Sequence, residues 1–428
     1  MKIRLSFFAF CLLSLTNFMF GCSRVFLVPP IDLSIKEATS IRRYDAGYPI
    51  KGIRKIKFRC EVPALTLSQD GKSLLYAMKC SNFSSTPRMM IHESHTLLIK
   101  DGVPVSDHCF NIKEVAFDAT GDHYAARITH VIDNREQAGL ILDRSTYRHK
   151  WEDIGTLVFH PSSGSVAHKV FASQFANMPN GKFFAGKNGQ IVSQSFSFIY
   201  DPVVFAPQSE TLAFAGKREG KWAIYIGNNK ASADYKNISA PAFHPQSGAL
   251  FFGAQEGDTW SLVGPEGKLS DNFDEIGRPQ FSPDGAHIAY KVKKGNDWCM
   301  AFDHIVFPQR FERIGEPVFS KNSAHIAYRA CNGLACFVMK DDKQVSDDFI
   351  LVDNISLNSD GSAVLYSAQA GTRSDDLASD ITYFIMKDRK RVSPMLRTYI
   401  VGRWIDDANI AFAGFDEFED EMIHGTTH

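Results

Sequence analysis

The nearest approach to a metal-ligand cluster in this chain is His92-Glu93-Ser94-His95. Two imidazoles share a zinc ion only when both lie on one side of the backbone. On a strand, side chains alternate with period two, so His92 and His95 face opposite ways and only a bend brings them together. The segment is read as a surface loop. A second group, Asp416, Glu417, Glu419, Asp420 and Glu421 with His424 and His428 beyond, carries oxygen ligands of the kind a hard divalent cation takes. Charge runs are more simply solvated segments, and this one is read as a C-terminal tail. Gly-x-Ser-x-Gly, phosphate-loop, dinucleotide-binding, Cys-x-x-Cys and His-Glu-x-x-His patterns do not occur. The sequence therefore assigns no catalytic residue, no metal ligand and no cofactor.

Cysteine chemistry is better placed. Eight cysteines are present, and Cys331 and Cys336 sit in AYRACNGLACFVM, two strand-like runs joined by a loop containing Asn332-Gly333, a hairpin signal. A disulfide across that hairpin and a pair of half-buried free thiols are both open readings. Compartment bears on the choice. The chain starts MKIRLSFFAFCLLSLTNFMFGC, with Lys2 and Arg4 ahead of an apolar run. That run is short for a spanning helix of about 20 residues and suits the core of a secretory signal. Its end, Met19-Phe20-Gly21-Cys22, resembles the bacterial lipoprotein box, in which a small residue precedes a cysteine that is diacylated and becomes N-terminal. The resemblance implies a signal peptide over residues 1–21, lipidation at Cys22 and a linker over residues 22–49. It also implies an exported, membrane-anchored protein, periplasmic or associated with the outer membrane. Ser23, at the position that often decides sorting, is not the Asp that favours retention at the inner membrane in that family.

With 44% hydrophobic and 22% charged residues in 428, the chain has the composition of a globular protein with a large core. Lys plus Arg number 47 against 48 Asp plus Glu. No net basic field is available to attract a phosphate backbone, and nucleic acid is set aside as a partner.

The elements that must position any site are repeated. PVVFAPQSETLAFAG from Pro202, PAFHPQSGALFFG from Pro241, PQFSPDGAHIAYK from Pro279 and PVFSKNSAHIAYR from Pro317 place Phe205, Phe243, Phe281 and Phe319 at intervals of 38 residues. Trp222, Trp260, Trp298 and Cys336 keep the same phase, as do Tyr235, Phe273, Phe311 and Phe349. A constant period carried by several positions means one supersecondary unit copied many times. Looser copies begin at Pro63, Glu114, Gly155 and Gly402, and ISLNSDGSAVLYS around Leu357 continues the series. In the unit beginning at Pro279, Gln280-Phe281 reads as a short inner strand and Ser282-Pro283-Asp284-Gly285 as a turn. His287 to Lys291, Trp298 to Phe302 and Arg310 to Ile314 read as three further strands.

Four antiparallel strands in a repeat of this length make a β-propeller blade. The fold is expected to be all-β, a single propeller over residues 50–428, with eight blades favoured and nine the close alternative. The truncated last blade is expected to take a strand from residues 50–62, so that strands from both termini close the ring and remove exposed sheet edges.

Phe281-Ser282-Pro283-Asp284-Gly285-Ala286-His287-Ile288-Ala289-Tyr290 closely resembles the TolB-type, WD40-like propeller repeat, whose signature is Phe-Ser-Pro-Asp-Gly followed by Ile-Ala-Phe or Ile-Ala-Tyr. Partial matches at Leu67, Phe205, Phe243, Phe319 and Leu357 extend the likeness over most of residues 60–415. TolB itself adds an N-terminal α/β domain for which about 40 residues after Cys22 leave no room, so the chain resembles the repeat family rather than TolB. Some relatives in that family are uronate lyases with a histidine-bound metal. The resemblance thus implies, as the alternative function, a carbohydrate-active enzyme with a metal site in the central channel.

Residues that keep the phase are read as blade architecture. This applies to Trp222, Trp260 and Trp298, which invite comparison with a sugar-stacking row, and to His287 and His325, which share one slot. Glu114, Arg278 and Glu316 occupy the slot just ahead of the inner strand and are the candidate channel-mouth binding residues. With no nucleophile or cofactor in view, the favoured function is non-enzymatic. It is an envelope-anchored scaffold, tied to the membrane by its N-terminal lipid, that presents loops to a protein or glycan partner.

Overall fold

Turn chemistry shapes each unit locally. Around Phe281, Ser282 Oγ donates to Asp284 Oδ1 at 2.7 Å, and the Ala286 and His287 N–H groups donate to Asp284 Oδ1 and Ser282 Oγ, both at 2.9 Å. Gly285 completes the turn at φ +74°, a left-handed conformation that costs a residue with a Cβ about 1–2 kcal/mol. Ile288–Lys294 and Asp297–Phe302 then run antiparallel, burying Ala289, Tyr290 and Val292. The turn into the outer strand is pinned by Asp303, which sits at φ +52° and accepts the Ile288 N–H on Oδ1 at 3.0 Å. Asp101, Asp143, Asp341 and Asp388 adopt the same conformation in their own units. Short polar side chains tolerate it because they bond to nearby backbone.

The computed structural model describes residues 42–45, 59–86, 89–107, 109–132, 135–173, 181–303, 305–371, 381–397, 400–416 and 421–427. Eight four-stranded blades follow one another around a central axis and are numbered 1 to 8 in chain order. They span residues 59–104, 111–151, 153–191, 198–230, 237–268, 275–306, 313–344 and 351–391. A closing sheet of Ile400–Trp404, Ile410–Asp416, Glu421–Thr427 and, from the other end of the chain, Arg42–Asp45 stands between blade 8 and blade 1. The eight blades are contiguous in sequence; the alternative count of nine includes this closing sheet.

Strands from both termini do close the ring, with two corrections. The N-terminal strand paired in the closing sheet is Arg42–Asp45; of the expected segment 50–62, residues 50–58 lie outside the described residues. Arg59–Leu67 belongs to blade 1, where its buried Leu65 and Leu67 pair with Tyr76 and Leu74. The acidic C-terminal stretch is not a free tail either. Asp416 pairs with Glu421 across a hairpin, and Glu421–Thr427 lies between Ile410–Asp416 and Arg42–Asp45. A strand in this place covers a sheet edge that would otherwise stay unpaired.

The inner strand of blades 3 to 7 is in two pieces. In blade 6, Glu275–Ile276 and Gln280–Phe281 both pair with Ile288–Lys294, and Gly277-Arg278-Pro279 bulges out of the ladder between them. Pro279 has no N–H to offer that ladder, and a bulge re-aims the side chains it carries. Register shifts at Ile112/Glu114 and Asp353/Ser356 are the counterparts in blades 2 and 8. The fourth strand of blade 6 is Ile305–Val306 rather than residues 310–314. Arg313–Ile314 has already crossed to blade 7, where it pairs with Cys331 and Ala330.

Blades pack face to face. Ala289 and Met300 of blade 6 share a cluster with Ile326, Tyr328, Phe337 and Met339 of blade 7. At the seam, Leu65, Leu67 and Tyr76 meet Val401, Ala411 and Ala413. Each large side chain buried this way stabilises the fold by about 1.5–3 kcal/mol. Tyr290, Tyr328 and Tyr366 fill one repeated core slot, and their hydroxyls donate to the Asp303, Asp341 and Asp388 carbonyl oxygens at 3.4, 3.2 and 2.6 Å.

Candidate functional site at the inner-strand bulges

The bulges place Glu114, Arg278 and Glu316 on the innermost strands of blades 2, 6 and 7. Glu114 Oε2 lies 3.4 Å from Arg127 Nε of the same blade, and Arg127 Nη1 donates to the Ile154 carbonyl of blade 3 at 2.7 Å. Burial pushes the Glu114 carboxyl up, against the pull of Arg127 and the Leu157 N–H, while Asp201 adds to the rise. Arg278 Nε donates to the Pro241 carbonyl of blade 5 at 3.2 Å. Burial pushes its guanidinium down, and the nearby Glu316 carboxylate opposes that shift. Glu316 takes its ion pair from Lys291 of blade 6, at 2.8 Å. Arg329 of blade 7 donates to the Val352 carbonyl of blade 8 at 3.1 Å.

The structure therefore keeps Arg278 within electrostatic reach of Glu316, ties Glu316 to Lys291, and leaves Glu114 with Arg127 in blade 2. Each long side chain in this set either bonds across a blade boundary or holds one that does. Chemically the arrangement is a set of braces around the inner rim. Among the described residues, no group of three His, Cys, Asp or Glu side chains is arranged to hold a metal ion.

The in-phase residues occupy structural positions. His287 Nδ1 lies 2.9 Å from Asp303 Oδ2, His325 Nδ1 2.9 Å from Asp341 Oδ2, and His123 Nδ1 3.0 Å from Asp143 Oδ2. Trp222 packs in a cluster shared by Ile224 of blade 4 and Ile238 and Phe252 of blade 5. Trp260 packs against Leu262, Phe273 and Tyr290 between blades 5 and 6. Cys331 and Cys336 are joined by a disulfide across the hairpin of blade 7, with Cα atoms 4.1 Å apart. His92 and His95 lie on the strand Met89–Lys100, opposite Phe83 and Cys80, and not in a loop. The strand reaches that far because blade 1 has a long second strand to pair with, Leu74–Thr86. Their side chains lie outside the described residues, as do Cys22, Ser23, Glu417, Glu419, Asp420 and His428.

Sequence reasoning missed two sets of residues. His168 is fully buried in the slot that holds Tyr290, Tyr328 and Tyr366 elsewhere, and burial pushes it down to about 4. It accepts the Gly189 N–H on Nε2 at 3.3 Å, and Trp151 lies between it and His149, with ring centroids 5.9 and 3.9 Å away. The second set is Phe198 and Tyr200, exposed on the inner strand of blade 4. Both sets were visible as departures in residue type from the repeat, once its slots are aligned.

Solved structures similar to this chain are propellers at low identity. TolB from Acinetobacter baumannii is 11% identical over 64% of this chain and 79% of that one, with a TM-score of 0.29. The Dos1 propeller is 8% identical over 82% and 95%, with a TM-score of 0.40. The propeller domain of the Trilobed protease from Pyrococcus furiosus is 10% identical over 66% and 97%, with a TM-score of 0.40. No protein-family model matches the chain, and no curated protein matches it.

Proposed function

We propose that this chain is a non-enzymatic binding propeller of the TolB-type repeat family. It is tethered on the envelope side of a bacterial membrane through lipidated Cys22 and presents loops to a protein or glycan. The observation that carries the reading is the engagement of the rim charges. Arg127, Arg278 and Arg329 each donate to a carbonyl of the neighbouring blade, and Lys291 pairs with Glu316 across another boundary. Charges used as braces make a stiff frame, and a stiff frame loses little conformational entropy when its loops engage a partner. The run Phe281 to Tyr290 supports the repeat family, and Gly21-Cys22 supports the tether.

Fractionation of cells expressing the full chain tests the anchor. Wild type is expected in the membrane fraction with a diacylated Cys22 at its N-terminus by mass spectrometry, and Cys22→Ser in the soluble fraction. An unmodified mature N-terminus at any other residue ends the tether reading. Cross-linked pull-down from envelope extracts is expected to recover a stoichiometric partner, and turnover of a polyuronate by the purified protein would overturn the non-enzymatic reading.

A further inference from the structure

Blades can be compared slot by slot through the backbone bond each slot makes. Gly155, Tyr200, Ser239, Gly277 and Gly315 donate the same bond, to the carbonyls of Lys169, Ala215, Gly253, Lys291 and Arg329, at 2.8–2.9 Å. In blades 3, 6 and 7 an inner-strand glycine thus faces a long cation on the second strand, and in blade 5 both residues are small. Blade 4 reverses the pair, with Ala215 small and Tyr200 large and 46% exposed. Two positions earlier, blades 3, 5, 6 and 7 have Asp153, Asn237, Glu275 and Arg313. Blade 4 has Phe198 there, paired with Lys217 and 39% exposed. Period two puts Phe198 and Tyr200 on one side of the strand, with the fully buried Ile199 on the other.

The two rings continue an aromatic ledge across blades 3 and 4. Phe198 lies 4.7 Å from Phe183 and 5.7 Å from Trp222, and Tyr200 lies 6.2 Å from Trp222, between ring centroids. Lys169 Nζ stands 5.6 Å from the Phe198 centroid and 5.8 Å from that of Phe183, and Lys217 Nζ stands 5.6 Å from that of Trp222. Trp222 is 7% exposed, and its indole N–H has no acceptor among the described residues.

We propose that this ledge binds a carboxylate-bearing glycan, with sugar rings laid on Phe198 and Tyr200 and acid groups directed to Lys169 and Lys217. The proposal deepens the binding reading above and rests on it. Area decides the class of ligand. The exposed parts of the two rings offer roughly 150–200 Å², against about 800 Å² per partner for a stable protein interface. That area suits a few sugar rings. Charge decides the kind of glycan, because both ammonium groups have aromatic neighbours and favour an anionic occupant.

Trp222 reports on the ledge because its ring contacts both exposed rings. The full chain is titrated with a hyaluronan hexasaccharide, with chitohexaose as the neutral chain and poly-glutamate as the acidic peptide, by tryptophan fluorescence and calorimetry. The hyaluronan fragment is expected to bind more tightly than either control. Tyr200→Gly and Phe198→Asn install residues that other blades carry in these slots, so the melting temperature should hold while affinity falls tenfold or more. Lys169→Gln is expected to weaken binding several-fold and narrow the gap between the acidic and neutral chains. Wild-type affinity in all three variants, equal binding of poly-glutamate, or no binding of the hyaluronan fragment overturns the proposal. Recovery of an envelope protein partner with no glycan binding overturns the ledge and leaves the scaffold reading standing.

Discussion

Lys291 of blade 6 crosses the space left by Gly277 and sets its Nζ 2.8 Å from Glu316 Oε1 of blade 7. A Cβ added at Gly277 collides with the Lys291 side chain. Gly277→Ala should therefore destabilise the fold by about 1–3 kcal/mol, the usual cost of overpacking. Gly277→Ala combined with Lys291→Ala should recover most of the loss. Urea midpoints of the single and double variants read this, and a single variant as stable as wild type removes the steric argument.

The same ion pair is only partly buried, so its own worth is small. A double-mutant cycle with Lys291→Met and Glu316→Gln should give a coupling below about 1 kcal/mol. In 1 M salt, where the Debye length is about 3 Å, that coupling should shrink. A large, salt-insensitive coupling would mean that the rim is much less hydrated than its exposure suggests.

His168 makes stability fall on acidification. Its folded pKa, pushed down to about 4, lies below the unfolded value of 6.5. The unfolded chain therefore takes up a proton that the folded chain refuses. The stabilisation is complete above pH 6.5 and is lost as pH falls toward 4, by about 3 kcal/mol for the fully buried ring. His130 and His149 are pushed down by burial as well and act in the same direction. The difference in urea stability between wild type and His168→Phe, measured from pH 7.5 to 4, isolates the His168 share. Phe214 and Phe252 show that the slot accepts a phenyl ring. A pH-independent difference would mean that His168 is hydrated.

The Cys331–Cys336 bridge closes a short hairpin loop. Loop-closure entropy for so few residues gives about 2 kcal/mol. Reduction, or Cys331→Ser with Cys336→Ser, should lower stability by about that amount without changing the fold. Alkylation of the unreduced, denatured chain followed by peptide mass mapping should leave both residues unlabelled, and labelling of either under those conditions would mean free thiols.

Much of the fold could be read from spacing because the repeat writes the same residue in the same slot. Phe205 to Phe319 marked the inner strands, and Ser282 to Gly285 marked a turn whose hydrogen bonds are local. The handover between blades was not legible, since Phe311 bridges Trp298 of blade 6 while Arg313 pairs with Cys331 of blade 7. No Gly, Pro or Asn stands between Phe311 and Ile314 to mark that crossing. Among candidate site residues, the bulge slot of Arg278 and Glu316 followed from the register. Their partners did not, because Lys291 and the Pro241 carbonyl come from a second strand and a neighbouring blade. Tyr200 carried a signal in its type, a large aromatic where other blades have Gly or Ser. Aligning that slot required knowing that the blade 4 copy runs one residue longer, which only the hydrogen bonds revealed.

Arg42–Asp45 pairs with Glu421–Thr427, so the first described strand waits for the last. A chain made from its N-terminus can assemble blades in order, but the ring stays an open arc until residue 427 has left the ribosome. The seam face at Leu65 and Leu67 waits almost as long, because its partners are Val401, Ala411 and Ala413. Pairing of Arg42–Asp45 with Glu421–Thr427 therefore reports that the chain has been made through Thr427.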